Sequence, residues 1–292
     1  MQWQKIILYS IWLWIASFTI AYANSTQPES PAAVTKPVTQ SAALETQAHE
    51  YLNQDPPDWD AARTAFLEAA EHDSSAAMGY LGWMHEEGLG VEPDMREAVR
   101  WYRRAAETGE AHYALKLGWM YLGGQGIDRD RTQAEHWFTQ AIAAEHVPAF
   151  VAWASVLIAD AQGGQNLKRI PEARDLLEQA LAAGQPLATY FLARLYIEGI
   201  GEHPVDDDAA AYYTWLGADY GYPQMQGWLA LMFLEGRGLP QDSILAAKWA
   251  NLAAAEGDRL GNEIRLQLEE ELDTEAIQQA RQLAIDWALL ER

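Results

Sequence analysis

The sequence predicts an all-α solenoid, a fold in which helix pairs stack one after another. A segment from Leu81 to Gly109 is followed by a copy from Leu117 to Glu145, at a shift of 36 residues. The residues of the first segment that are identical in the copy are Leu81, Gly82, Trp83, Met84, Gly88, Gly90, Asp94, Ala98, Trp101 and Ala105. A sequence period of about 20 to 50 residues is typical of helical-repeat arrays. Glycine punctuation and apolar residues at helical spacing indicate that each repeat is a helix pair.

Composition supports a globular protein and restricts its partners. Of the 292 residues, 49% are hydrophobic, which is enough for a sizeable core. The 42 acidic residues outnumber the 20 lysines and arginines, so the formal net charge is -22. Nucleic acids and anionic lipid surfaces require a basic footprint, so this charge argues against both and favours neutral or basic protein partners. Because the chain has no cysteine, it has no disulfides, thiolate metal sites or cysteine nucleophiles.

Residues 1–23 have the pattern of a secretory signal peptide. A single positive charge, Lys5, precedes an apolar run that ends in Ala21-Tyr22-Ala23, a sequence suited to signal peptidase. We therefore expect cleavage near Ala23 and a periplasmic or secreted protein. The alternative is an uncleaved anchor in the inner membrane, since the apolar run from Ile6 onwards is close to the minimum length of a membrane span.

The next two segments differ in composition. Residues 24–41 are rich in Pro, Ser, Thr and Gln and lack apolar periodicity, so we expect a flexible linker. Residues 42–75 show two short helical patterns, from Ala43 to Asn53 and from Asp58 to His72. This pair is degenerate relative to the later repeats, as expected of an N-terminal cap whose outer face meets water.

Residues 76–258 contain five repeats, and the first shows the pattern of helix A most clearly. This helix is predicted from Ala76 to Glu86, and Gly82 within it allows close approach of the partner helix. Gly88 and Gly90 end the helix, because glycine adopts the left-handed conformation at little cost.

Helix B is predicted to begin at an aspartate in every repeat except the third. In the first repeat Asp94 is the N-cap, and Glu97 three residues later completes an acidic variant of the capping box. Alanines and aromatic residues at helical spacing then form a stripe that packs against helix A. The tryptophans of this stripe, which we expect to be core residues, are Trp101, Trp137 and Trp249.

The third repeat departs most from the pattern. Trp153 marks its helix A, and its loop is lengthened up to Pro171, which suits the first turn of helix B. The fourth and fifth repeats restore the pattern. Residues 259–292 contain two further helical patterns, the second with Thr274 as its N-cap, and we expect them to form a C-terminal cap.

No side-chain pattern indicates a catalytic, cofactor or metal site. His85 precedes two glutamates, but Tyr121 occupies the equivalent position of the next repeat, so we interpret His85 as a packing residue. The acidic run from Asp206 to Asp208 could coordinate calcium, yet it lies where helix B needs a cap, and capping is the favoured interpretation. The sequence has no H-E-x-x-H zinc motif and no G-x-S-x-G nucleophile motif.

One position of helix A varies between repeats. It is occupied by Trp83 and Trp119 in the first two repeats and by Arg194 in the fourth. Variation suits a face that points away from the packing positions, and aromatic residues and arginine are typical hot spots of interfaces. We hypothesise that Trp83, Trp119 and Arg194 help to form a groove for a protein or peptide. The alternative is that these side chains pack between repeats.

The repeats share the string L-G-x-M-[HY]-x-x-G-x-G-[VI]-x-x-D-x-x-x-A-x-x-W-[YF]-x-x-A. This string resembles the Sel1-like repeat (SLR), a relative of the tetratricopeptide repeat, and the resemblance covers Ala76 to Asp258. It implies antiparallel helix pairs in a right-handed superhelix, with helix A on the concave surface, and adaptor or binding roles. Secreted, cysteine-rich members are linked to β-lactam binding or hydrolysis, and this chain departs from them because it lacks cysteine.

The predicted function is that of an exported, non-enzymatic scaffold in the periplasm of a Gram-negative cell. Its partner would be a protein or peptide on the concave face, with no nucleic acid, no small-molecule cofactor, and membrane contact only if the signal is not cleaved. Two alternatives stay open. One is a cell-envelope enzyme or a cell-wall- or β-lactam-binding protein, and the other is a secreted binder of host protein.

Overall fold

The computed structural model describes residues 40–200 and 204–290, and these residues form α-helices with no strand. In chain order the α-helices are α1 (Gln40–Leu52), α2 (Trp59–Glu71), α3 (Ser75–Glu87), α4 (Met95–Glu107), α5 (Ala111–Gly123), α6 (Arg131–Ala143), α7 (Val147–Gln162), α8 (Ile170–Ala182), α9 (Ala188–Glu198), α10 (Asp207–Asp219), α11 (Pro223–Glu235), α12 (Ser243–Ala255), α13 (Arg259–Glu271) and α14 (Thr274–Leu290). The all-α prediction is confirmed.

The N-terminal predictions fall mostly outside the described residues. This holds for the signal peptide at 1–23 and for residues 24–39 of the predicted linker. Helix α1 begins at Gln40, so its first two residues belong to the segment that was expected to be linker. Within the described residues, no helix combines the length and the apolar character needed to cross a bilayer.

The chain divides into two compact units, Met1–His146 and Val147–Arg292. In the first unit α1 packs on α2, α3 on α4 and α5 on α6, and these pairs stack through contacts of α2 with α3 and of α4 with α5. In the second unit the pairs are α7 with α8, α9 with α10 and α11 with α12, joined by contacts of α8 with α9 and of α10 with α11. Helices α13 and α14 both pack on α12 and complete this unit.

The loop inside each well-formed repeat is held by two residues. In the first repeat, Gly88 adopts the left-handed conformation (φ 72°) and its N–H donates to the Met84 carbonyl. The N–H of Asp94 donates to the carbonyl of His85 at 2.8 Å, and Asp94 Oδ1 accepts from two backbone N–H groups of α4. Asp94 therefore ties the end of α3 to the start of α4. The same arrangement recurs at Gly124 with Asp130, Gly199 with Asp206, and Gly236 with Asp242.

Two capping predictions need correction and one is confirmed. The capping box in the first repeat is absent, because the Asp94 N–H donates to the His85 carbonyl and the Glu97 carboxylate pairs with Arg100 at 2.6 Å. The capping interpretation of the acidic run in the fourth repeat is confirmed, because Asp206 Oδ1 accepts from the Ala209 N–H at 3.0 Å. The cap of α14 is the carboxylate of Asp273, which accepts from the Ala276 N–H at 2.9 Å, and not Thr274.

The second glycine of each loop does more than end a helix. Gly90 lies against Trp59, Gly126 against Met95 and Gly238 against Asp207. Each of these neighbours is the first residue of helix B in the preceding pair. These glycines permit close approach between successive repeats, a role that the sequence pattern of helix termination did not reveal. The corresponding Gly201 of the fourth repeat lies outside the described residues.

Close packing within a pair depends on a glycine in helix A, as predicted. A Cβ at Gly82 would lie 2.6 Å from the ring of Tyr102, and a Cβ at Gly118 would lie 2.9 Å from the ring of Phe138. The helix B stripe is confirmed for Trp137 and Trp249, which are 6% and 2% exposed.

Two further predictions have different outcomes. The core prediction is wrong for Trp101, which is half-buried and lies under Arg104, with 4.7 Å between the guanidinium carbon and the ring centroid. Pro171 occupies the first turn of α8, as expected.

Replacement of Gly238 by alanine should destabilise the protein strongly. The residue has a φ of 64°, and a Cβ there would overlap the carbonyl oxygen of Asp207. Gly257 is the matched control, because its φ is 84° and a Cβ would meet no atom within 4 Å. The conformational cost alone, about 1–2 kcal/mol, applies to Gly257→Ala, and we expect at least about 3 kcal/mol for Gly238→Ala. Denaturant unfolding measures both, and equal losses would contradict the close-approach role.

Candidate functional site

Trp83, the first candidate groove residue, is half-buried and sits among aromatic rings. Its ring centroid lies 6.1 Å from that of Trp59 and 6.4 Å from that of Tyr80. Because Trp59 belongs to α2 and Trp83 to α3, the first contact joins two successive helix pairs. Trp83 therefore contributes to packing between repeats.

Trp119, the second candidate, is also half-buried and packs within its own repeat. Its ring meets that of Phe138 edge to face, with 5.2 Å between centroids. This contact joins α5 to α6. Packing accounts for the placement of both tryptophans without a partner, so the hypothesis that Trp83 and Trp119 line a groove stays a prediction.

Arg194, the third candidate, is not on a surface. Its side chain is 2% exposed, and its Nε donates to Glu198 at 2.9 Å. The guanidinium also lies 5.7 Å from the ring centroid of Tyr190. A buried cation that is already paired offers no contact to a partner, so the assignment of Arg194 to a binding face is wrong. The i, i+4 spacing of Tyr190, Arg194 and Glu198 places them on one face of α9. Helix periodicity could not reveal that this face is buried, because burial depends on how the neighbouring helices pack against α9.

A buried polar cluster joins the first two repeats. Glu86 of α3 accepts from the Tyr102 hydroxyl at 2.5 Å and from Lys116 Nζ at 2.6 Å. Lys116 Nζ also lies 4.4 Å from the centroid of the Tyr102 ring. Burial, and then the Glu86 charge, raise the pKa of Tyr102 well above its usual range, so the hydroxyl stays a donor. The three members of this cluster lie on three helices, so no local sequence pattern predicts it.

Two histidines of the first unit form a half-buried pair. The ring centroids of His112 and His146 are 6.2 Å apart, and the rings meet edge to face. Burial lowers the pKa of His112 to about 4, with the nearby His146 and Lys116 acting in the same direction. Burial also lowers the pKa of His146. Both rings are therefore neutral near pH 7.

Exposed apolar side chains are distributed unevenly. Among the residues that the structure describes, every large hydrophobic side chain classed as exposed lies in the second unit. These residues are Leu167, Val205, Tyr212, Trp215, Tyr220, Leu266, Ile285, Leu289 and Leu290. The first unit, by contrast, uses its large apolar side chains for packing.

One helix presents two of the exposed aromatic side chains in line with two carboxylates. Asp208, Tyr212, Trp215 and Asp219 are spaced by four, three and four residues along α10, so they share one helix face. Tyr212 is 62% exposed and Trp215 is 44% exposed, and both aspartates are exposed. We call these four residues the α10 stripe. None of these four residues was predicted to be a binding residue.

The Trp215 ring is supported from the protein side. Its centroid lies 6.0 Å from that of Phe233 on α11 and 6.3 Å from that of Trp249 on α12. Trp249 in turn meets Trp287 of α14 at 5.6 Å. These contacts hold the Trp215 ring from the protein side, while 44% of the residue stays exposed to solvent.

Comparison with known proteins gives the family. The family model of the Sel1 repeat matches residues 75–109, 111–146, 186–214 and 223–258. The chain belongs to the Sel1 repeat family. A search of curated proteins gives no match. The divergent third repeat, with its 16-residue α7, lies outside the matched ranges.

Solved structures agree with this assignment. A Sel1 repeat protein from Oxalobacter formigenes is 25% identical, with a TM-score of 0.63 over 82% of this chain and 96% of that chain. A protective antigen of uropathogenic Escherichia coli with an SLR fold is 20% identical, with a TM-score of 0.49 over 86% of this chain and 69% of that chain. A putative Sel1 repeat protein from Klebsiella pneumoniae is 22% identical, with a TM-score of 0.43 over 71% and 99%. The Oxalobacter structure establishes that the helix pairs form an SLR solenoid fold.

The α10 stripe is not part of the Sel1 repeat architecture. When the helix B segments are aligned on their capping aspartates, the positions of Tyr212 and Trp215 hold polar or charged residues in the other three aspartate-capped repeats. The corresponding residue pairs are Arg100 and Arg103 in α4, His136 and Thr139 in α6, and Lys248 and Asn251 in α12. Departure from the repeat at exposed helix B positions is the sequence signal that could have identified this surface.

Replacement of Trp83 and Trp119 by alanine should lower the stability of this Sel1 repeat protein. Each half-buried ring contributes aromatic packing, and we expect a loss of about 2 kcal/mol per site. Phenylalanine at the same positions retains a ring and serves as the control. Thermal melting and capture of the partner are measured together. An unchanged melting temperature with lost capture would instead support the groove hypothesis.

Stability should fall on acidification because of His112. In the unfolded chain this group takes up a proton near its ordinary pKa of 6.5, but in the folded protein only near pH 4. Between these values the unfolded state binds more protons, so the free energy of unfolding falls as the pH drops from about 6.5 to about 4. We expect His112→Gln to reduce this fall, and the exposed His136→Gln to leave it unchanged. Melting temperatures measured across this pH range test the prediction, and identical profiles for the two variants would contradict it.

Proposed function

We propose that this Sel1 repeat protein is an exported, non-enzymatic scaffold that binds a protein partner through an exposed aromatic surface. Sel1 repeat folds typically serve as scaffolds for protein interaction. The observation that carries the proposal for this chain is the exposure of Tyr212 and Trp215 on one face of α10. Large aromatic side chains held at a surface are typical anchors of protein interfaces.

The support behind Trp215 favours binding energetically. A partner that meets a ring already held by Phe233 and Trp249 does not have to order that ring. Helices α10 and α12 are capped at their starts by Asp206 and Asp242, so the backbone under this surface is ordered as well. Binding would then cost little conformational entropy in the scaffold.

Export is proposed from the N-terminal sequence. Lys5, the apolar run and Ala21-Tyr22-Ala23 together favour a cleaved signal and a periplasmic location. Residues 24–39, rich in Pro, Ser and Thr, would tether the helical repeats. That the partner lies on the concave face of the solenoid stays a prediction.

In-cell photo-crosslinking tests both parts of the proposal. A photoreactive amino acid at position 212 should give a defined crosslinked species in the osmotic-shock fraction, and Trp215→Ala should abolish it. Position 136, the α6 equivalent, is the matched control and should give no such species. Identical products from the two positions would contradict the binding surface. Recovery of the crosslinked protein in the membrane pellet would indicate an uncleaved anchor. Its recovery in the culture medium would indicate the secreted alternative.

A further inference from the structure

We propose that the α10 stripe recognises a cationic segment of the partner, one that bears arginine or lysine side chains. This inference rests on the proposed scaffold function and adds the chemistry of the partner.

The stripe places two aromatic faces between two carboxylates. The distance along the helix from Asp208 to Asp219 is about 16 Å, since an α-helix rises about 1.5 Å per residue. Five residues of an extended peptide cover about the same length. Cationic side chains at alternate positions of such a peptide could meet a carboxylate, an aromatic ring and the second carboxylate in turn. Cations are attracted to the faces of tryptophan and tyrosine as well as to carboxylates.

The charges around the stripe favour a positive partner. Helix α10 contains no lysine or arginine. Asp207, the remaining aspartate of its first turn, is already paired with Arg237 at 2.7 Å. The chain as a whole has a net charge of -22, which attracts cationic segments over long range and repels a second copy of itself.

The protein already uses a cation–aromatic contact next to the stripe. Lys248 Nζ lies 4.1 Å from the centroid of the Trp249 ring, and Trp249 is the residue that supports Trp215. Burial lowers the pKa of Lys248, while the charge of Asp219 opposes this shift. A partner cation over Trp215 would make the same kind of contact one repeat away, on an exposed ring.

Binding of an octa-arginine peptide to the purified protein tests the aromatic part. Leucine at positions 212 and 215 keeps apolar bulk but removes the rings. We expect Tyr212→Leu with Trp215→Leu to weaken binding about tenfold, from the loss of two exposed cation–π contacts. The control is His136→Leu with Thr139→Leu, at the equivalent positions of α6, and should stay within about twofold of the unchanged protein.

Charge variants test the carboxylates. Asparagine is the replacement because Trp287 Nε1 donates to Asp219 Oδ1 at 3.4 Å, and an amide oxygen can still accept this hydrogen bond. Asp208→Asn with Asp219→Asn should weaken octa-arginine binding about tenfold at low salt, and by less at high salt because exposed charges are screened. Asp60→Asn with Glu107→Gln is the matched control, since these exposed residues occupy the equivalent helix positions of α2 and α4. Both double variants remove two negative charges, so a difference between them reports position and not net charge.

Equal affinities of the stripe variants and their controls would overturn the inference, because octa-arginine would then respond only to overall charge. Equally tight binding of octa-glutamine would overturn it too. If the crosslink at position 212 persists in either case, the scaffold proposal stands with a partner of different chemistry. If a photoreactive residue at position 212 gives no crosslink in a protein that is otherwise unchanged, the proposed function itself is contradicted. Self-association detected by light scattering and abolished by Trp215→Leu would identify a second copy as the occupant and also overturn the cationic-partner inference.

Discussion

The aspartate at the start of helix B, present in the N-terminal pair and in every repeat except the third, is the residue on which most of the fold depends. Its backbone N–H bonds to the last turn of helix A, while its carboxylate caps helix B, as Asp94 does between α3 and α4. Each such cap is worth about 1 kcal/mol, but its larger effect is geometric. Because both helix ends are tied to one residue, the crossing of the two helices is set, and Gly82 comes to face the ring of Tyr102.

The fixed geometry of the helix pair determines two sets of contacts, those within a repeat and those between repeats. Within a repeat, alanines and a glycine let the helices approach and an aromatic ring fills the space between them. Between repeats, the second loop glycine lies against the start of the preceding helix B, as Gly238 does against Asp207. The buried Glu86, Tyr102 and Lys116 cluster adds a specific polar link between the first and second repeats. Positions that recur from repeat to repeat therefore belong to architecture.

We expect functional residues at positions whose residue type differs between repeats and whose side chains are exposed. Trp83 meets the first condition but not the second, because Trp59 and Tyr80 pack against it. Tyr212 and Trp215 meet both. The positions of Tyr212 and Trp215 hold Arg100 and Arg103 in α4, so a single scaffold presents surfaces of different chemistry on its helix B faces. A solenoid permits this, since exposed helix B residues are not constrained by the packing that fixes the buried stripe.

The sequence by itself determined the helix pairs, the loops and most of the caps, because these depend on residues close together in the chain. Gly88 ends α3 and Asp94 begins α4 through contacts made within a few residues, and such local chemistry is visible as a pattern. The tertiary structure alone decided which side chains are exposed. Arg194 and Trp215 both occupy helix positions that a sequence pattern could place at a surface, yet one is enclosed beside Glu198 and Tyr190 and the other faces solvent. Exposure depends on what the neighbouring helices cover, and no short-range pattern contains that information.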